Sequence, residues 1–401
     1  MKPRRPCVLA LNGGSSSIRF AVYEAGTKPR PCFTGKIDRI GARGARLVVD
    51  APTAKSQLLP REAARSHEGA VNFLLTWLER LPAFASITAV GHRVVHGMKH
   101  TKPETITPRL LAELRRITPY DPEHLPKEIA LIEAFRRRYP HLVHVACFDT
   151  AFHCGLPDVA KRLPIPRRFA AKGVERYGFH GLSYAYLMEE LQRLEPRKTE
   201  RVILAHLGSG ASLAAVLRGR SFDTSMGFTP TGGLMMGTRT GDLDPGIMYF
   251  LERTEGMTAA KFQRMVNHEA GLLGVSGTSS DVRDLLARER RDVRAREALA
   301  LFCYQAKKWI GAFTAALGGV DTIVFAGGIG ENAPALRERI CAGLDFLGLK
   351  IDEARNAKSA AVISTKASRV TVRVIHTNEE QMIARLVVRH LRRSGRRKTT
   401  L

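Results

Sequence analysis

The chain has 401 residues, a formal net charge of +25 from 63 Lys+Arg against 38 Asp+Glu, and 44% hydrophobic and 25% charged residues. That length buries the cores of two domains, and the balance is that of a globular chain rather than a disordered one. No run nears the ~18 apolar residues of a membrane span, and six scattered cysteines without a Cys-x-x-Cys pair argue against a disulfide framework or a zinc site.

Much of the excess charge is dispersed arginine such as Arg136-Arg137-Arg138, and no zinc finger, RNP motif or helix-turn-helix accompanies it. A basic surface of this kind favours small anionic substrates over a nucleic acid. Lys2, Arg4 and Arg5 precede an apolar run of only four residues, 8–11, too short for a signal-peptide core. The expectation is a soluble, cytoplasmic protein with no membrane partner. Residues 389–398, RHLRRSGRRK, read as a frayed basic end.

Residues 8–22, VLALNGGSSSIRFAV, join two β-type runs through Asn12-Gly13-Gly14-Ser15-Ser16-Ser17 and read as a hairpin. The connection offers backbone N–H groups and hydroxyls free of bulky side chains, which suits a phosphate cradle. No Gly-Lys-Ser/Thr follows, so it is not a Walker loop, and a plain turn explains the same residues. Residues 203–217, ILAHLGSGASLAAVL, echo it. Aligned without gaps, Leu9 meets Leu204, Ala10 meets Ala205, Gly13 meets Gly208 and Ser17 meets Ser212. A recurring strand–glycine–strand unit points to duplication with a ligand between the halves, though four identities also arise by chance.

Residues 30–60 read as strand and loop punctuated by Gly35, Gly41 and Gly44, and residues 62–81 as one helix. Residues 87–97, ITAVGHRVVHG, form a buried-type strand with Arg93 near its end. That cation needs an anion, either an Asp or Glu or a substrate oxyanion. Helices over 108–117 and 126–138 flank PEHLP. Residues 143–150, VHVACFDT, are a strand ending in Asp149, read either as a ligand-facing acid of an α/β fold or as a turn residue. RYGFHG (176–181) is a glycine-bounded loop that carries His180. Residues 223–246 show neither periodicity, hold Arg239, and read as a long functional loop. Helices over 258–269, 280–290 and 293–317 precede TIVFAGGIGEN (322–332), a strand running through glycines into a helix over 334–343. The unit seats part of a nucleotide or is a plain β–turn–α connection. A strand over 370–375 and TNEE (377–380), which caps a last helix, close the chain.

Eight stretches together resemble the acetate kinase family, in its order and over nearly the full length. They are NGGSSSIRF (12–20), GHRVVHG (91–97), FDTAFH (148–153), RYGFHG (176–181), SMGFTP…GLMMGTRTGDLDPG (225–246), GLLGVSGTSSDVRDL (271–285), FAGGIGEN (325–332) and TNEE (377–380). The resemblance implies an α/β fold of the duplicated ribonuclease H-like, actin-like ATPase type, two-lobed, with a nucleotide cleft between the lobes. It implies an N-terminal lobe of residues 1–150 plus 382–401 with a closing C-terminal helix, and a C-terminal lobe of residues 151–381 for nucleotide binding and dimerisation. The activity implied is reversible transfer of the ATP γ-phosphoryl group to acetate by direct in-line displacement. Acetyl phosphate, a feed for acetyl-CoA, and ADP are the products. Propionate is the alternative acyl substrate, Mg2+ (or Mn2+ in its place) the metal, and a homodimer the assembly.

In that resemblance Arg93 and Arg239 match the arginines that hold the acyl carboxylate and the transferring phosphoryl group. His180 matches the histidine on the phosphoryl oxygens, and Asp149 the acid that orients them. Val95, Phe179, Pro230 and His124 fall in the acyl site. Ser15, Ser17 and Arg19 lie at the first phosphate turn, and His206, Leu207, Gly208, Ser209 and Gly210 at the second. Asp281, Val282 and Arg283, with Gly328, Ile329, Gly330, Glu331 and Asn332, fall where the family holds the adenosine of ATP. Glu379 matches the magnesium carboxylate, with Asn12 as polar support. The residue types suit the chemistry. Acetate is already deprotonated at neutral pH, so the requirement is charge neutralisation and in-line geometry rather than a strong base. Forked guanidinium donors serve both.

The sequence departs from the family at Arg19, where Lys is usual, at Ser209, where Asn is usual, and at Met98, where Gly follows His-Gly. A longer 119–126 segment places Glu123 before His124, where an apolar acyl-pocket residue is typical. These changes bear on the phosphate grip and the acyl preference, and they leave pyrophosphate open as the phosphoryl donor.

Overall fold

Two apolar hairpins seed two separate sheets. The structure, a computed structural model, describes residues 5–14, 16–50 and 56–398, the last four as backbone only. It divides into two compact units, Met1–Ala151 with Asn378–Leu401, and Phe152–Thr377.

In the first unit β1 (Cys7–Gly13) and β2 (Ile18–Glu24) pair antiparallel, with Gly13 opposite Ile18. β3 (Arg30–Asp38), β4 (Arg46–Asp50) and β5 (Gln57–Leu58) extend one side, and β6 (Ile87–Val94), β7 (Glu104–Thr105) and β8 (Val143–Phe148) the other, in the order β5-β4-β3-β2-β1-β6-β8-β7. In the second unit β9 (Arg201–Leu207), β10 (Ala211–Leu217), β11 (Arg220–Thr224), β12 (Thr322–Ala326) and β13 (Thr371–Val374) are ordered β11-β10-β9-β12-β13. From β3 to β8 the pairings run antiparallel, antiparallel, parallel, parallel, and from β11 to β13 they repeat that series. The duplication is therefore one of strand order.

The gapless alignment of the two hairpins is corrected by their registers. Four residues, 14–17, connect β1 to β2, but three, 208–210, connect β9 to β10. Ser17 is thus a turn residue, whereas Ser212 stands inside β10 opposite His206.

Every residue of β1 is buried, because helices cover both faces of the sheet. On one face Leu9 and Leu11 join Leu74 of the helix His67–Glu79 and Leu131 and Phe135 of the helix Leu125–Arg138. The helix Glu379–Lys398 covers the other face, against β1, β2, β6 and β8. Its close approach explains Gly91. A Cβ there would fall 2.4 Å from Ile383 Cγ2 and 2.6 Å from Val387 Cγ2. Gly91→Ala is expected to cost about 1–3 kcal/mol in urea melts by forcing that helix outward; a variant as stable as the parent would show that the contact carries no strain. In the second unit Leu187 and Leu191 of the helix Gly181–Leu194 pack on Val202, Leu204, Ala214 and Val216, and the helix Val293–Leu317 packs on β9 and β10.

Several expectations are revised. The single helix over 62–81 is two, Arg61–Ala64 and His67–Glu79, because the Ser66 side chain accepts the Gly69 N–H at 3.0 Å and starts the second. Gly35 does not punctuate a loop. It lies within β3, where the Phe20 ring occupies the space a Cβ would take, 2.3 Å away. The glycines after β12 are themselves helical, Gly327–Asn332, before the helix Pro334–Cys341. The basic end does not fray, since its backbone continues the last helix to Lys398. Among the described residues no helix is long and apolar enough to cross a membrane, and all six cysteines are free thiols.

Candidate functional site

In the first unit the parallel pairing of β6 with β8 sets Arg93 beside the chain end that carries Asp149. Arg93 Nη2 donates to Asp149 Oδ2 at 2.7 Å, and Arg93 Nη1 lies 3.8 Å from Glu128 Oε1. Asp149 is fully buried and Glu128 nearly so. Glu128 Oε2 accepts the Val95 N–H at 2.9 Å, so one carboxyl from the helix Leu125–Arg138 touches both Arg93 and Val95. Arg93 Nε and Glu128 Oε1 are buried without a hydrogen bond. Burial pushes Glu128 up to about 8, against the pull of Arg93 and the Val95 bond, with Asp121 and Asp149 adding repulsion. His124 is fastened by Asp121, whose Oδ1 lies 2.9 Å from His124 Nδ1. Sequence reading passed over Glu128 and Asp121. The available signal was an acid at 128 within the buried stripe Leu125, Ile129, Ile132.

The raised Glu128 sets a sign. A free glutamate ionises near 4.5 and the folded one near 8, so folding takes up a proton between those values. The contribution of this carboxyl to stability is full below the lower value and declines as pH rises through the window. Glu128→Gln keeps an acceptor for Val95 and removes the charge. It is expected to gain on the wild type in urea melts as pH is raised from about 6 to about 9; a constant difference would remove Glu128 as the titrating group.

At the start of the last helix Asn378 Oδ1 accepts the Gln381 N–H at 2.7 Å as its cap and bonds Tyr23 Oη at 3.2 Å. The two following acids converge on Asn12, whose Nδ2 donates to Glu379 Oε2 at 2.7 Å and to Glu380 Oε1 at 3.1 Å. Desolvation, reinforced by the Glu379 carboxylate, raises Glu380 above its usual range. Arg19 is exposed on β2 and opposes that rise. The first glycine turn is closed by the Gly14 N–H on the Ser17 carbonyl at 2.8 Å; Ser15 lies outside the described residues.

In the second unit His180 occupies the left-handed region, φ 60°, immediately before the helix Gly181–Leu194. A non-glycine residue held there is a mark of functional sites. Its ring stacks on His206 with centroids 4.3 Å apart. A Cβ on Gly210 would stand 3.3 Å from His180 Nε2 and 3.9 Å from Arg239 Nη1, and a Cβ on Gly208 would stand 3.7 Å from His206 Nε2. Two imidazoles and one guanidinium therefore face the Gly208–Ser209–Gly210 turn. Arg239 also donates to the Pro230 carbonyl at 3.2 Å. Its loop is irregular but ordered by backbone bonds, Leu272 N to Met236 O at 2.8 Å, Ala270 N to Thr238 O at 3.1 Å and Thr240 N to Val266 O at 3.0 Å. Phe179 is buried, with its carbonyl 3.1 Å from His153 Nε2.

Beside this turn opens a cavity of about 460 Å³, lined by Gly208, Ser209, Asp281, Val282, Arg283, Gly328, Ile329 and Asn332, with Ser280, Leu286 and Ala333 added by the structure. Its size and mixed lining suit a small organic ligand. Asp281 caps the next helix through the Arg283 N–H at 2.8 Å, and its hydrogen bond to the Arg283 side chain holds it below the usual carboxylate range. Gly330 and Glu331 serve the framework. The Gly330 carbonyl accepts Arg337 Nη1, while Glu331 Oε1 accepts Gly327 N at 2.8 Å and Thr377 N at 3.0 Å.

The structure thus gathers Arg93, Val95 and Asp149 in the first unit, with Asn12 and Glu379 as a second group there, while His124, held by Asp121, precedes the helix that carries Glu128. In the second unit it gathers His180, His206, Gly208, Gly210, Pro230 and Arg239.

Comparison with known proteins adds independent findings. The family model described as "Acetokinase family" matches residues 7–385. A curated acetate kinase of Rhodopseudomonas palustris (strain TIE-1) is 44% identical over 392 residues, 95% of this chain and 98% of that protein. A propionate kinase of Citrobacter rodentium is 42% identical over 390 residues, 95% of this chain and 96% of that protein. Among solved structures, Porphyromonas gingivalis acetate kinase aligns with a TM-score of 0.85 at 38% identity, covering 94% of this chain and 98% of that one. A propionate kinase from Francisella tularensis aligns with a TM-score of 0.89 at 34% identity, covering 95% and 98%.

Proposed function

The chain belongs to the acetokinase family, and on that premise we propose that it moves the γ-phosphoryl group of ATP reversibly onto acetate, giving acetyl phosphate and ADP. The observation that carries this reading is the convergence of His180, His206 and Arg239 on a glycine turn at the edge of a nucleotide-sized cavity. In-line transfer between two anions asks for donors and cations aimed at the moving phosphoryl group. Arg239 and His180 supply them. Arg93, held by Asp149, takes the acyl carboxylate, and Val95, Phe179 and Pro230, with His124, bound the acyl group. Ser15, Ser17 and Arg19 at the first turn, Leu207 and Ser209 at the second, and the cavity residues bind ATP. The lobes expected as residues 1–150 plus 382–401 and residues 151–381 are taken as the two units, Met1–Ala151 with Asn378–Leu401 and Phe152–Thr377.

The donor set fits Mg2+. Glu379 and Glu380 share one amide donor on Asn12, and Glu380 is raised by burial and then by the Glu379 charge, which marks an electron-rich spot. Among the described residues no group of three or more His, Cys, Asp or Glu could hold a metal, so phosphate oxygens and water would have to supply the remaining ligands. Glu379 would hold it, with Asn12 orienting the carboxylate; bound there, Mg2+ or Mn2+ neutralises phosphate charge.

The test is trapping of acyl phosphate as hydroxamate from ATP and hydroxylamine, run over acetate, propionate and butyrate and with pyrophosphate in place of ATP. Acetate turnover with ATP is expected; no hydroxamate from any acid would end the reading. A cytoplasmic homodimer accords with free thiols and with the helix Gly246–Glu255, which buries no residue and leaves Tyr249 61% and Phe250 62% exposed. Sedimentation is expected to give twice the 44.3 kDa chain mass; a species of single mass would exclude the dimer.

A further inference from the structure

We infer that two buried serine hydroxyls, Ser212 and Ser183, hold His180 and His206 in the tautomer that carries its proton on Nε2, so that both rings donate toward the Gly208–Gly210 turn. The direction of both hydroxyl lines, and with it the tautomer, rests on the kinase reading, which puts an anion at that turn.

His180 Nδ1 lies 2.8 Å from Ser212 Oγ, and Ser212 in turn meets the Tyr184 hydroxyl. His206 Nδ1 lies 2.8 Å from Ser183 Oγ, which lies 2.7 Å from Thr377 Oγ1. Both serines are fully buried. Ser183 and Tyr184 are consecutive residues of the helix that begins after His180, so one turn of helix supplies one hydroxyl to each line.

A neutral imidazole has one donor and one acceptor nitrogen, and a hydroxyl has one proton to give. When Tyr184 donates to Ser212 and Ser212 to Nδ1, the Ser212 hydroxyl gives one bond and takes one, and the His180 proton must sit on Nε2. Thr377, Ser183 and His206 make the same series. The reverse direction would leave a lone pair on each Nε2, facing a turn where an anion that only accepts hydrogen bonds is to be held. Ser212, Ser183, Tyr184 and Thr377 are therefore positioning residues that act through the two histidines.

The test uses the full chain with 15N-labelled histidine, at a pH where both rings are neutral. Each ring is expected to show a protonated Nε2 and an unprotonated Nδ1. In Ser212→Ala the His180 signals move toward a mixture of tautomers, kcat falls roughly 10- to 100-fold, and KM for ATP and acetate changes less than about threefold. Ser212→Thr, which restores the hydroxyl, recovers the wild-type signals. If Ser212→Ala does not fold, Tyr184→Phe removes the neighbouring hydroxyl while keeping the ring, and is expected to shift the same signals. Protonated Nδ1 on both rings of the wild type would overturn the inference, as would unchanged signals in the folded variants. Absence of acyl phosphate would defeat the kinase reading and leave the tautomer result standing.

Discussion

Arg239→Ala is expected to lower kcat about 10³-fold, the scale lost with a guanidinium that clamps a transferring phosphoryl group. That is about 4 kcal/mol of transition-state stabilisation. The fold should not change with it, because the loop is tied through its backbone. The Arg239 carbonyl accepts the Met236 N–H at 3.0 Å. Gly271, at φ 63°, passes so close that a Cβ would fall 2.2 Å from the Met236 carbonyl oxygen. Neither contact uses the arginine side chain. Arg239→Lys is expected to recover little, since a point charge does not reproduce a planar fork. Steady-state kinetics beside a urea melt checks both parts; a variant with native kcat would place Arg239 outside the chemistry.

Arg93→Met is expected to cost about 3–5 kcal/mol of stability, because removing one partner of a buried ion pair strands the other. Here two carboxyls are stranded, Asp149 at 0% and Glu128 at 3% exposure. Glu128 is held near 8 even beside the guanidinium, and without it that carboxyl rises further above its unfolded value. By linkage the deficit grows with pH and shrinks on acidification as the Glu128 carboxyl takes up its proton. Urea melts at about pH 6 and about pH 9 should therefore show the larger loss at the higher pH. Adding Glu128→Gln should return part of it. A loss independent of pH would mean that packing, not charge, ties this corner together. In the proposed reaction kcat/KM for acetate falls as well.

The parts of the fold that were readable in the sequence are those in which local pattern and final environment agree. β1, β9 and β12 are largely buried on both faces and so carry continuous apolar runs. The helix Gly246–Glu255 escaped notice because its apolar residues stand side by side, Ile247 to Leu251, rather than at helical spacing. The helix Gly181–Leu194 opens on a glycine straight after an irregular loop. Candidate site residues were readable only through the order of whole motifs, since neither Arg93 nor His180 has a local signature. Apart from Asp149, their supports were not readable. Ser183 meets Thr377 across 194 positions, and Arg93 meets Asp149 across 56, separations that no local pattern encodes. One departure from the family gains a physical account. Met98, standing where glycine is usual, has φ 48°, a conformation that glycine adopts without strain.

The seating of Ile383 and Val387 over Gly91 also has a bearing on how the chain is made. The sheet that begins with the first strand is closed by the last helix, and the whole of residues 152–377 is synthesised between them. During translation the later unit has all its parts before the earlier one does. Until residues 379–398 leave the ribosome, the apolar strip around Ala10 and Gly91 has no helix to cover it and is an invitation to chaperones.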